Sequence, residues 1–121
     1  MLIAMCQKIR IAETVDCPAI ERIVRAAYSH YVSRMGREPG PMLDDYAALI
    51  GKERVHVIEH RGEVCGIVVL IPETDAMLLD NIAVAPEAQG LGLGRKLLEF
   101  AEQQAAAAGY RTLRLYTNEA M

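Results

Sequence analysis

Apolar and polar residues alternate over residues 8–13 (KIRIAE), the spacing of a half-buried strand. The period then changes. Ile20, Ile23, Val24, Ala27, Tyr28, Tyr31 and Val32 recur at helical spacing. Asp16 stands where an N-cap belongs, and Pro18 falls in the first turn, where its missing N–H does no harm. Gly36 ends this helix, GREPGP over 36–41 reads as a loop, and MLDDYAALIG over 42–51 as a short second helix. Three β-rich runs follow: RVHVIEH (54–60), EVCGIVVLIP (63–72) and AMLLDNIAVAP (76–86). The pair Arg61-Gly62 makes a tight hairpin between the first two, and Pro72 and Pro86 stop the later ones. Leu93, Leu97, Phe100, Ala101, Ala105 and Ala108 form the apolar stripe of a third helix, with Gly109 as its C-cap. TLRLYT over 112–117 is the last strand.

The order β-α-α-β-β-β-α-β predicts one α+β domain over 1–121, a mixed α/β sandwich. The three central strands should be antiparallel neighbours. The last should lie parallel to the strand over 76–86, because a strand–helix–strand unit crosses over in that way. The strands are apolar enough to need helices on both faces of the sheet. Alternation over 80–84 puts Asp80, Ile82 and Val84 on one face and Asn81 and Ala83 on the other.

Composition narrows the function. Hydrophobic residues make up 52% of the chain, with one Phe and no Trp, so the core is aliphatic. A net charge of −3 gives no basic character to draw nucleic acid. No apolar run is long enough to span a bilayer, and the opening MLIAMC is short and lacks the basic start of a signal peptide. Cys6, Cys17 and Cys65 show neither metal-ligand nor disulfide spacing, which suits a reducing cytoplasm and no metal. His56, in the run over 54–60, reads as a surface or hydrogen-bonded residue rather than a catalyst.

The chemistry concentrates in VAPEAQGLGLGRKLLEF, residues 84–100, where Gly90, Gly92 and Gly94 sit at a strand-to-helix corner. Glycine admits backbone angles closed to other residues and lets a ligand approach the main chain. The unpaired N–H groups and partial positive charge of a helix start favour an anion there. Arg95 and Lys96 lie in the first helical turn, against the dipole, unless a polyanion is bound. The spacing is not that of a P-loop, since Arg95 stands where the second Gly belongs and Leu97 where Ser or Thr belongs. It is not a dinucleotide fingerprint either, because Arg95 replaces the third Gly of GxGxxG. What remains is Gln-x-x-Gly-x-Gly, carried by Gln89, Gly92 and Gly94.

That motif and its flanks, NIAVAPEAQGLGLGRKLLEFAEQQAAAAGYRTLRLYTNEAM over 81–121, resemble the acyl-CoA-binding core of the GCN5-related N-acetyltransferases (GNAT). The upstream element order fits the same family. The resemblance implies the GNAT fold, ending here after its fifth strand, without the family's closing helix and last strands. It implies acetyl-CoA as acyl donor. The N–H groups of Gln89, Gly90, Leu91, Gly92, Leu93, Gly94 and Arg95 would cradle the pyrophosphate, and Ile82, Ala83 and Val84 would pair with pantetheine like an added strand. The strand over 76–86 often carries a bulge in this family, and Asn118 would lie near the pantetheine arm or the thioester. The implied reaction is direct attack of a primary amine on the thioester in a ternary complex, with a strand N–H at the oxyanion. Asp80 is the candidate base and Asn118 a second candidate catalytic group. Tyr28, Tyr31 and Tyr46 fall on the acceptor side. The acceptor would be a small-molecule, peptide or protein amine. The family's proton-donating Tyr has no counterpart before Met121, so a non-catalytic acyl-CoA-binding or assembly module is the alternative. The uncovered edge of the last strand would then invite a homodimer or strand exchange.

Overall fold

The computed structural model describes residues 7–35 and 45–115; the side chains of 28–35 and of residue 115 are outside this description. Among the described residues, five strands form one sheet in the order β1-β2-β3-β4-β5. They are β1 (Gln7–Ile11), β2 (Val55–His60), β3 (Glu63–Pro72), β4 (Met77–Val84) and β5 (Leu113–Leu115). The α-helices of the described residues are α1 (Cys17–Met35), α2 (Tyr46–Gly51) and α3 (Leu93–Ala107). The element order predicted the antiparallel β2–β3–β4 neighbours and the parallel pairing of β5 with β4, and both are present; β1 adds to the sheet antiparallel to β2.

Cross-strand register sorts the side chains into two layers. Ile9, Ile58, Gly66 and Val84 stand side by side across β1–β4. That face meets α3: a Cβ at Gly66 would touch Leu97, and His56 lies 4.8 Å from the Phe100 ring, centroid to centroid. The opposite face carries Val57, Ile67, Val69, Asn81 and Ala83. It meets α1 and α2, through Ile20, Ile23, Val24, Tyr46 and Ile50 in the buried core. Helices on both faces follow from strands whose two sides are equally apolar.

The hairpin between β2 and β3 turns at Arg61 (φ 55°) and Gly62 (φ 82°), a two-residue turn whose twist matches its strands. Asp45 caps α2, accepting from the Ala48 N–H at 3.1 Å. Gly109 (φ 89°) follows α3, as expected of a helix-ending glycine. Leu93, Leu97, Ala101 and Ala105 are the buried stripe of α3, with Phe100 partly buried. Ala108, expected in that stripe, is exposed because the helix has already ended at Ala107.

Asp16 corrects the expected cap of α1. It closes a 3-10 turn, Thr14–Asp16, that leads into the helix. Its carboxylate accepts two bonds from Arg10, at 2.8 and 3.0 Å, and one from the Glu13 N–H at 2.7 Å. Arg10 also donates to Glu59 at 2.6 Å. The result is an ion cluster joining β1, β2 and the entrance to α1.

Two strands carry one extra residue. Opposite β2 the extra residue is Cys65 of β3; opposite β3 it is Asp80 of β4, because Val69 pairs with Asn81 and Leu70 with Leu79. The second bulge changes the faces of β4. Leu79 stays in register with Leu70, on the α3 side, while Asp80 and Asn81 both belong to the α2 side. The face shared by Asp80, Ile82 and Val84, expected from simple alternation, is therefore broken at Asp80. A bulge is what breaks a period of two.

Candidate acyl-donor and acceptor site

β4 ends at Val84 and the chain passes through a 3-10 turn, Pro86–Ala88, before the glycine corner. Gly90 (φ 91°) and Gly92 (φ 77°) both lie in the left-handed region, Gly92 as the N-cap of α3. This is the conformation that costs a side-chain-bearing residue about 1–2 kcal/mol. A Cβ at either position would meet nothing within 4 Å. Gly94 differs: its φ is ordinary, and a Cβ there would touch only Val84, at 3.9 Å. Two of the three glycines are thus demanded by the backbone, and the third is not.

The first bond of α3 is from the Lys96 N–H to the Gly92 carbonyl, at 3.2 Å. The N–H groups of Leu93, Gly94 and Arg95 precede it and point out of the helix start. Gln89, Gly90, Leu91, Gly92 and Arg95 are exposed around them, whereas the Leu93 side chain is buried and anchors the turn. Lys96 donates to the Gln7 side chain, so the edge strand β1 reaches the first turn of α3. No acidic residue belongs to the first turn of α3. The corner fits an anionic group on chemistry and on space: outward N–H groups, the positive helix end, Arg95 beside it, and open volume over two glycines.

A shallow cleft of about 270 Å³ lies between α2 and the β3–β4 pair, lined by Asp45, Ala48, Leu49, Lys52, Ile71 and Asp80. Its floor is apolar and its rim charged. Asp80 lines it because of the β4 bulge. Next to it, Asn81 is 3% exposed and donates to the Tyr46 hydroxyl at 3.0 Å. Tyr46 is 2% exposed, so it belongs to the core and does not present its ring to an acceptor. The amphipathic spacing around Tyr46 could not separate these uses, because a tyrosine satisfies both. The side chains of Tyr28 and Tyr31, and all of Asn118, lie outside the described residues. Ile82 and Val84 are half-buried on the α3 side of β4, and Ala83 is buried on the other.

His56 is not hydrogen-bonded through Nδ1, which is buried with no partner among the described residues. Burial lowers its pKa, and it packs against Phe100 away from the cleft. Cys17 and Cys65 are free thiols pushed up in pKa, chiefly by burial, so neither has the character of an activated nucleophile. No group of residues suited to a metal ion occurs among the described residues, and no described helix is long and apolar enough to cross a membrane.

Comparison with known proteins places this architecture. Residues 51–121 match the acetyltransferase (GNAT) domain family, and the chain belongs to that family. Over 57 residues it is 47% identical to the 5-NmdU N-acetyltransferase of Pseudomonas phage PaMx11, covering 43% of this chain and 39% of that protein. The match thus spans less than half of that curated relative. Among solved structures, the PaiA N-acetyltransferase of Thermoplasma acidophilum, in complex with coenzyme A, superposes with a TM-score of 0.79 at 16% identity, over 93% of this chain and 80% of that one. A possible acetyltransferase from Clostridium difficile 630 gives 0.75 at 19% identity, over 94% and 81%. N-acetylglutamate synthase from Neisseria gonorrhoeae, complexed with coenzyme A and N-acetyl-glutamate, gives 0.71 at 24% identity, over 93% and 26%. These likenesses show that the fold is that of GNAT acetyltransferases, as the resemblance of the glycine corner implied.

Proposed function

We propose that this chain is an acetyl-CoA-dependent N-acetyltransferase that acetylates a primary amine held in the cleft between α2 and β4. The observation that carries the reading is the pair of left-handed glycines, Gly90 and Gly92, immediately before the outward N–H groups of Leu93, Gly94 and Arg95. Those N–H groups receive the pyrophosphate, with Gln89 and Leu91 flanking it, and the edge of β4 from Ile82 to Val84 guides the pantetheine arm. By the family resemblance, Asn118 stands near that arm.

The amine enters over the apolar floor of Leu49 and Ile71. Asp80 takes its proton, directly or through one water. The freed nitrogen attacks the thioester carbonyl carbon, the C–N bond forms, the C–S bond breaks with its electron pair passing to sulfur, and the departing thiolate takes up the proton that the new amide nitrogen sheds. Supporting direct attack, neither described cysteine is suited to carry the acetyl group. The acceptor is a small-molecule amine or the amine of a peptide or protein. A cytoplasmic setting suits the free thiols of Cys17 and Cys65. The position of β5 at the end of the sheet order among the described residues supports a homodimer or strand exchange at that edge. Light scattering after gel filtration tests this, and a purely monomeric protein would remove it.

The test of the function is calorimetric titration with acetyl-CoA, followed by thiol release across a panel of amino acids, polyamines and peptide N-termini. Binding with turnover of at least one amine is expected. Binding without turnover of any would favour an acyl-CoA-binding module instead. No binding by the folded protein would remove both readings.

A further inference from the structure

Resting on the reading of Asp80 as proton acceptor, we infer that the buried hydrogen bond between Asn81 and Tyr46 is a positioning element for acetyl transfer. It holds the β4 bulge in the register that turns Asp80 into the acceptor cleft. Simple alternation would place residue 80 with Ile82 and Val84, under α3 and away from the cleft. The bulge opposite the Val69–Leu70 step prevents this. A bulge interrupts the ladder and lies one register slip from being erased, so its position has to be specified by side chains.

Asn81 specifies it. The side chain is buried, and its amide reaches the Tyr46 hydroxyl of α2 at 3.0 Å. A slip that carried Asn81 to the α3 side would take it away from that hydroxyl and break a hydrogen bond made inside the core. Such a group costs far more orphaned than its bond contributes when made. Two neighbouring pairs of residues make the arrangement specific. Asp45 and Tyr46 are consecutive, one lining the cleft and capping α2, the other tying α2 down. Asp80 and Asn81 are likewise consecutive, one lining the opposite wall, the other receiving the tie. The hydrogen bond thereby links the two walls of the cleft. Apolar residues would fill the same space without choosing a register.

The experiment compares wild type with Tyr46→Phe, with Tyr46→Phe/Asn81→Leu, with Asp80→Asn, and with Asp80→Asn/Tyr46→Phe. The first readout is the set of proton NOEs from the Asp80 methylene to the methyl groups of Ala48 and Ile71. The second is steady-state turnover with acetyl-CoA and the fastest acceptor of the amine panel. We expect Tyr46→Phe to weaken the NOEs and lower kcat at least tenfold, with acetyl-CoA Kd within about twofold of wild type. Tyr46→Phe/Asn81→Leu should recover the thermal midpoint without recovering kcat. In the Asp80→Asn background, Tyr46→Phe should cause no further loss.

Persistence of the NOEs in Tyr46→Phe would overturn the inference. So would a kcat that returns together with stability in the double variant, or losses that multiply with Asp80→Asn, since each marks a merely structural pair. Wild-type turnover by Asp80→Asn alone would instead overturn the role of Asp80. The NOEs would then still report whether the bond sets the register.

Discussion

Gly66 of β3 lies directly beneath Leu97 of α3, so closely that a Cβ at residue 66 would come within 3.2 Å of Leu97 Cδ1. The same atom would approach Ile58 Cγ2 to 2.9 Å and the Ala83 carbonyl oxygen to 3.1 Å. The helix that presents the glycine corner therefore rests on the sheet at its barest point. Gly66→Ala should destabilise the protein by about 1–3 kcal/mol, the usual range for overpacking. Urea denaturation should show the midpoint falling with the m-value unchanged, and an unaltered midpoint would mean that α3 moves away freely.

Gly92 and Gly94 should respond in opposite ways. Gly94 has ordinary φ and room for a Cβ, so Gly94→Glu should keep the thermal midpoint. Its carboxylate would nonetheless occupy the space above the helix start, and acetyl-CoA binding should weaken at least a hundredfold by calorimetry. Gly92→Ala should lose about 1–2 kcal/mol of stability from its left-handed backbone. Full binding by Gly94→Glu would place the donor's phosphates elsewhere.

The Arg10–Asp16–Glu59 cluster predicts an acid-dependent contribution to stability. Arg10 holds the Asp16 carboxyl below the usual carboxylate range, chiefly through their hydrogen bonds. A carboxyl lowered on folding stabilises fully above its unfolded pKa, about 3.9, and that stability is lost as pH falls through the folded value. Asp16 is only 6% exposed, so Asp16→Ala should cost about 2–3 kcal/mol at pH 7, with the loss shrinking below pH 4. Chemical denaturation at pH 7 and pH 3 measures both, and an equal loss at the two pH values would exclude the ion pairing.

His56 predicts a second pH effect with the same sign in a higher window. Burial lowers its pKa, and its Nδ1 has no described partner. The unfolded chain then binds the proton more readily, so the contribution is complete above the unfolded value of about 6.5 and declines as pH falls toward the folded one. His56→Leu should flatten the change in urea midpoint between pH 7.5 and pH 5.5. A slope identical to wild type would assign the effect to another group.

The identity and order of the elements were determined by the sequence alone. Alternation marked the strands, helical spacing marked α1 and α3, and Arg61-Gly62 marked the hairpin, because each signal is set by neighbours close along the chain. The glycine corner was legible for the same reason: backbone conformation and helix start are local properties. Residue type could not tell which of its glycines the backbone demands, since Gly94 and Gly92 read alike until φ is known. Only tertiary structure decided which way Asp80 faces. Its bulge arises from pairing β4 against β3, and register across strands leaves no mark in the spacing along one strand. The Asn81–Tyr46 bond joins residues 35 positions apart, and the Arg10–Glu59 bond residues 49 apart. Asp16 looked like a cap because its position allows one, and is an ion-pair partner because the fold sets Arg10 of β1 beside it. Local chemistry thus determined the scaffold and a glycine-lined helix start. Long-range pairing decided the walls of the cleft, where polar groups take partners that only the assembled sheet supplies.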